Sequence, residues 1–333
     1  MFELAEKCKA FDFIDELHIL KPVNRGSTLR LFFAMLLPVQ FFGLQNTKNN
    51  YHGENQKNFI IIVQNMMNAF ILSRVFPKAE IQLVDEGLST YTGRVTEKRY
   101  RSRIFKILYA IFGKRDYNEL IDKLYLSDIS MIQTQFNNLI GEIKVNRTVL
   151  ESLLFDQEYK YVLHQHATVY LGVPMFGLID LCADADIDRS AFLENAESVL
   201  KILYNKIDGT IYYKQHPLEQ TVHFDKFQPG QVNYIRYSWE KLVYNSIDDN
   251  AVIFNFFSTS VLFPKLVLNK EPYVIFLHRM LNNDLLNAEQ VFQNFKNLYE
   301  DKSRVCAPRT ESELEEIIQL VNERKQQHAK RTN

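Results

Sequence analysis

Apolar residues fall along this chain in two rhythms. Short apolar runs at Phe59–Val63, Thr168–Leu171, Asn250–Phe257 and Pro272–Phe276 read as strands, the unbroken ones as strands covered on both faces. Strand patterns also occur at Asp15–Leu20, Glu80–Val84, Tyr159–His164, Thr210–Lys214 and Val232–Tyr237. Spacings of three and four mark helices instead. Ser27–Leu37 carries Leu29, Phe32, Phe33, Leu36 and Leu37 on one face, with Ser27 as its cap. Asn65–Phe76 is a helix ended by Pro77, and Asp188–Ile207 has a stripe through Phe192, Val199, Leu200 and Leu203. Short helices are expected at Ser238–Val243 and Val261–Val267, and from Asn287 the chain reads as helical. The last helix, Thr310–Lys330, offers a capping box at Ser312 and Glu315. Residues 1–10 read as the end of a helix, 45–57 as a polar loop, and 117–138 as a polar, partly helical stretch.

The strand at 59–63, the helix at 65–76 and the strand at 80–84 form a βαβ unit, so a parallel sheet follows. Gly172-Val173-Pro174 breaks the pattern, and Ala183-Asp184-Ala185-Asp186 reads as linker, which puts a domain boundary near 172–188. The expected division is a first domain at 1–175, a second at 176–309 and a terminal helix at 310–333. The length, 333 residues with 46% hydrophobic, suits two domains of about 150 residues each.

Composition narrows the classes. A net charge of −1 gives no global attraction to nucleic acid. Cys8, Cys182 and Cys306 are too sparse and scattered for a disulfide framework or a zinc cluster. Asp184, Asp186 and Asp188 alternate, but without the glycine and terminal glutamate of a calcium loop. No apolar run reaches the roughly 18–20 residues of a membrane span, and the N-terminus is not a signal peptide, so a cytoplasmic protein is expected. Lys98–Arg115 departs from the rest, with seven Lys or Arg, no acid, and Ile104, Phe105, Leu108, Ile111 and Phe112 at helical spacing. It reads either as an amphipathic helix on an anionic bilayer or as a helix packed on its own domain.

Three stretches carry candidate chemistry, each at the end of an expected strand. Lys214-Gln215-His216-Pro217 places a cation and an imidazole where ligands bind in α/β sheets. Asp85-Glu86-Gly87 places two carboxylates where a general base would sit, or else forms a solvated acidic turn. Ser258-Thr259-Ser260 offers three hydroxyls at a strand-to-helix turn, suited to capping, to an anion, or to both. Asp208, eight residues before His216, is a rival base.

Asp85-Glu86-Gly87, Lys214-x-His216-Pro217 and Ser258-Thr259-Ser260, in this order, resemble the motifs of bacterial sialyltransferases. The best match is glycosyltransferase family 52, the lipooligosaccharide and capsule sialyltransferases, to which the polysialyltransferases are related. The resemblance covers roughly residues 55–280. It implies an α/β fold of GT-B type, two Rossmann-like domains facing a cleft, with a CMP-sugar held mainly by the C-terminal domain. It also implies inverting transfer of sialic acid to a terminal galactose of a surface glycan, with no metal or other cofactor, in line with the lack of an Asp-x-Asp pair in a suitable loop. Under it, Glu86 or Asp85 is the base, His216 meets the CMP phosphate, Lys214 supports charge, and Ser258, Thr259 and Ser260 hold the phosphate. Gly87 and Pro217 complete the motifs, and Glu240 takes ribose or cytosine donors. The partners implied are the nucleotide sugar and the glycan acceptor, with inner-membrane contact through 98–115 and homodimerisation left open. Two departures stand out. The family's opening apolar strand has no counterpart near residue 1, and Leu218-Glu219 stands where arginine often follows the His-Pro pair. A hexosyltransferase using another nucleotide sugar, or a truncated paralogue acting as a binding partner, are the alternative readings.

Overall fold

The computed structural model describes residues 60–63, 73, 78–84, 121–126, 128–131, 139–142, 154, 163, 166–179, 182, 187–216, 219, 232–281, 283–285 and 287–332. The chain is mixed α/β and divides into two units, the second holding Leu150–Asn333.

The first unit has one parallel sheet, β1 (Ile60–Val63), β2 (Glu80–Val84), β3 (Lys123–Leu126) and β4 (Leu139–Glu142), in the order β1-β2-β3-β4. The parallel pairing expected for β1 and β2 is present, with Ile60 opposite Glu80 and Val63 opposite Leu83. The connecting helix at 65–76 lies outside the described residues except for Ser73, which is helical. β3 corrects the reading of 117–138 as polar and partly helical. In Lys-Leu-Tyr-Leu only Leu124 and Leu126 are fully buried, while Lys123 reaches Glu80 of β2 at 3.0 Å. Four residues with two polar ones are too few for periodicity to separate strand from helix.

The second unit is a six-stranded parallel sheet with helices. Its strands are β5 (Thr168–Leu171), β6 (Ile211–Lys214), β7 (Val232–Tyr234), β8 (Val252–Asn255), β9 (Tyr273–Phe276) and β10 (Val305–Cys306). Their order is β10-β9-β8-β5-β6-β7. Counted within the unit this is the doubly wound order 3-2-1-4-5-6 read from the other edge, open at both sides. The sequence reading placed 168–171 ahead of the domain boundary. The strand instead sits at the centre of the second sheet, pairing with β6 on one side and β8 on the other. All four of its residues are buried, as a strand covered on both faces requires.

The helices bounded within the described residues are, in chain order, α1 (Met175–Ile179), α2 (Arg189–Lys206), α3 (Trp239–Ser246), α4 (Phe263–Leu268), α5 (Ala288–Leu298) and α6 (Glu311–Thr332). α2 matches its expected span. Asp188 caps it by accepting from the Ser190 and Ala191 amides, and the expected stripe is buried along with Ala196 and Tyr204. α1 lies within the stretch 172–188 where the domain boundary is expected. β10 and a 3-10 turn at Lys302–Arg304 interrupt the stretch read as helical from 287. The cap of α6 also differs. Thr310 Oγ1 accepts the Glu313 amide at 3.2 Å and Glu313 Oε2 accepts the Arg309 amide at 2.7 Å, so the reciprocal pair lies two residues before Ser312 and Glu315. Tyr159–His164 lies outside the described residues apart from Leu163, which is in neither helix nor strand, and residues 1–59 and 98–115 lie wholly outside them.

Candidate functional site

The strands β5, β6, β8 and β9 end level: Leu171 stands opposite Lys214 on one side and Asn255 on the other, and Asn255 opposite Phe276. In a doubly wound sheet the crevice opens where the strand order reverses, outside the carboxyl ends. Here that point lies between β5 and β8. Lys214 ends β6 and the serine–threonine stretch follows β8, so two of the three sequence-selected stretches flank it. Two strand spacings, about 10 Å, separate them.

Lys214 is half buried. Burial lowers its pKa below the ordinary lysine range, and the Glu240 carboxylate opposes that shift. Glu240 is in the first turn of α3, which Ser238 caps by accepting the Lys241 amide at 3.3 Å. The neighbouring Trp239 is buried, and its indole N–H donates to the Ser260 carbonyl at 2.7 Å. This bond ties the start of α3 to the turn after β8.

The hydroxyl stretch is not the start of a regular α-helix, as expected from Val261–Val267. Thr259–Leu262 is a 3-10 turn, and α4 begins only at Phe263 with Pro264 in its first turn. The Ser258 amide is already engaged, donating to Asn255 Oδ1 at 3.0 Å, and the Ser258 hydroxyl makes no capping bond. A long helix dipole is therefore not what this turn brings to an anion. Its hydroxyls are: Ser258 buried, Ser260 half-buried and Thr259 exposed.

His216 lies two residues beyond β6 and is half-buried. Its backbone is held by Glu219, whose Oε2 accepts the His216 amide at 3.1 Å and whose amide donates to the His216 carbonyl at 2.9 Å. Pro217 lies outside the described residues, as do Asp85, Glu86 and Gly87, which follow β2 directly in sequence.

Asp208 is placed at the opposite end of β6. Its amide donates to Asn322 Oδ1 at 2.9 Å, its carbonyl accepts Lys325 Nζ at 3.0 Å, and its Oδ2 accepts Gln326 Nε2 at 3.3 Å, all from α6. The whole length of β6, about 10 Å of extended chain, lies between it and Lys214, and its contacts are with α6, so it is no rival base for this site.

Three residues at these strand ends escaped the sequence reading. Asn255 is fully buried and holds the Ser258 turn. Glu219 was noted only as a missing arginine. His278, just beyond β9, is 5% exposed among Phe257, Phe276 and Phe292, and neither ring nitrogen has a hydrogen-bond partner. A histidine following an apolar strand was the available signal. Among the described residues no three His, Cys, Asp or Glu side chains gather as a metal site, and no helix is long and apolar enough to cross a membrane.

No protein-family model matches the sequence, and no curated protein does. Among solved structures, the glycosyltransferase of kitacinnamycin is similar at a TM-score of 0.45 and 10% identity, over 91% of this chain and 76% of that one. An α/β-galactoside α-2,3-sialyltransferase from the marine bacterium Photobacterium phosphoreum is similar at a TM-score of 0.41 and 14% identity, over 79% of this chain and 82% of that one. At these scores neither likeness carries weight on its own.

Proposed function

We propose that the chain is a glycosyltransferase, and specifically an inverting enzyme that moves sialic acid from CMP-sialic acid to a terminal galactose of a bacterial surface glycan. The observation that carries this reading is the shared edge: Lys214, His216, Glu240 and Ser258–Ser260 occupy the carboxyl end of one parallel sheet, on the two sides of its switch point. The ordered resemblance of the same stretches to the sialyltransferase motifs supports it.

In this reading the donor phosphate lies along that edge. Lys214, half-buried, meets negative charge more strongly than an exposed lysine would. The hydroxyls of Ser258, Thr259 and Ser260 donate to phosphate oxygens, and His216 donates to the phosphate as the glycosidic bond breaks. Glu240, beside Lys214, accepts from ribose or cytosine. Glu86 or Asp85, after β2, takes the proton of the acceptor hydroxyl. No metal or other cofactor enters the scheme. A lipid-linked acceptor would bring the enzyme to the inner face of the membrane, with the basic stretch 98–115 against anionic lipid.

Thermal stabilisation tests the reading. A nucleotide at 100 times its Kd raises stability by about 2.7 kcal/mol by mass action. CMP is expected to raise Tm where UDP does not, and His216→Ala to shrink the shift. A shift specific to UDP would assign another nucleotide sugar. No shift from either in a cooperatively melting chain would remove the nucleotide site from this edge.

A further inference from the structure

The turn that carries His216 is held at its backbone by Glu219. Glu219 is 8% exposed, yet it meets both backbone polar groups of His216, accepting the amide at Oε2 and donating its own amide to the carbonyl. Gln215 Nε2 closes the turn on the Glu219 carbonyl at 3.1 Å. The carboxylate rests over Gly172, the first residue after β5. A Cβ at 172 would lie 2.3 Å from Glu219 Oε2 and 2.9 Å from the Tyr213 ring, so this close approach is what requires glycine there.

Among the described residues, the phenols of Tyr170 on β5, Tyr213 on β6 and Tyr204 on α2 feel the charge of this carboxyl. No ion pair among the described residues includes Glu219. Burial raises its pKa, and Tyr213 and the His216 amide draw it partly back. An apolar side chain would fill the same space without the cost of burying a carboxyl. What the carboxylate adds is an acceptor for one particular amide.

We propose that Glu219 is the positioning residue of the site: its carboxylate fixes the backbone of His216, and through it the imidazole, at the carboxyl end of β6. The proposal rests on the reading of His216 as the phosphate-side group, but the contact itself can be followed without nucleotide.

The test uses the full chain labelled with nitrogen-15 at histidine, the His216 amide being assigned by its absence in His216→Gln. That amide should titrate with an inflection above the ordinary glutamate value of 4.5. In Glu219→Gln the carboxylate's part of that titration should vanish while the resonance keeps its hydrogen-bonded position, because the amide oxygen accepts the same N–H. In Glu219→Ala it should move to the position of a solvated amide, and the Kd for CMP should rise about tenfold or more, with Glu219→Gln staying within about threefold of wild type. Gly172→Ala, with Glu219 intact, should displace the same resonance. A wild-type amide that does not titrate, or an alanine variant that binds CMP as tightly as the glutamine variant, overturns the proposal. If the wild type binds no CMP, the nucleotide reading alone falls, and the titration and its loss in Glu219→Gln still decide the role of Glu219.

Discussion

The indole N–H of Trp239 donates to the carbonyl of Ser260, linking the start of α3 to the turn after β8. This bond holds the first turn of α3, which carries Glu240, against the hydroxyl turn. Trp239→Phe keeps an aromatic ring in the buried pocket and deletes only the donor. The Ser260 carbonyl then loses its partner, at a cost of about 1–3 kcal/mol. Urea denaturation should show that loss, and CMP affinity should fall with it. Full affinity in the variant would detach the turn from nucleotide binding.

His278 gives the protein an acid-sensitive limb. Burial, the nearby Arg279 cation adding to it, lowers its pKa from 6.5 to about 4. The unfolded chain takes up this proton below pH 6.5 and the folded chain does not, so stability is lost as pH falls from 6.5 towards 4 and the loss levels off below that. The window corresponds to up to about 3 kcal/mol. His278→Leu should flatten this limb in a series of melting curves and, by removing two buried nitrogens without partners, raise Tm at neutral pH.

Lys270 closes the far end of α3. Its Nζ donates to the carbonyls of Val243, Tyr244 and Ile247 at 2.6, 3.2 and 2.8 Å. These are the orphan acceptors of a helix C-terminus, and a cation there also meets the negative end of the helix dipole. Lys270→Ala should cost about 2–3 kcal/mol in equilibrium unfolding. Lys270→Arg, which keeps the charge, should recover part of that.

Asp208→Asn tests the placement of the rival base. Its contacts with α6 use the backbone amide and carbonyl as well as one carboxylate oxygen, and asparagine keeps an acceptor there. CMP-dependent stabilisation and any transferase turnover should stay within about twofold of wild type. A large loss of turnover with unchanged Tm would return Asp208 to the chemistry.

The sequence made the second sheet legible because its strands are short apolar runs and its helices start at Asp188 and Ser238, residues whose side chains do cap. Lys214, His216 and Ser258–Ser260 were legible for the same reason, since each stands just past such a run. β3 and β10 were not, because four and two residues carry no period to read. The role of Glu219 was hidden for another reason. Its identity stands in the sequence, but its partners are a glycine just after β5 and phenols on β5, β6 and α2, which only the sheet order brings together. Asp208 misled because proximity in sequence to His216 is, along an extended strand, distance in space.

The central position of β5 sets an order of assembly. During synthesis β5 emerges first among the strands of its sheet, and β6 soon gives it one neighbour, but the other, β8, leaves the ribosome only after α2, β6, β7 and α3. Until then one edge of a strand that the finished sheet buries completely stands open, the kind of edge that invites pairing with another chain. β10 and α6 come last, and α6 then clamps the turn between α2 and β6 through Asn322, Lys325 and Gln326. The nascent unit therefore depends on its final helix to lock a turn made early, and a ribosome stalled before β8 would leave a sticky half-sheet for chaperones to shield.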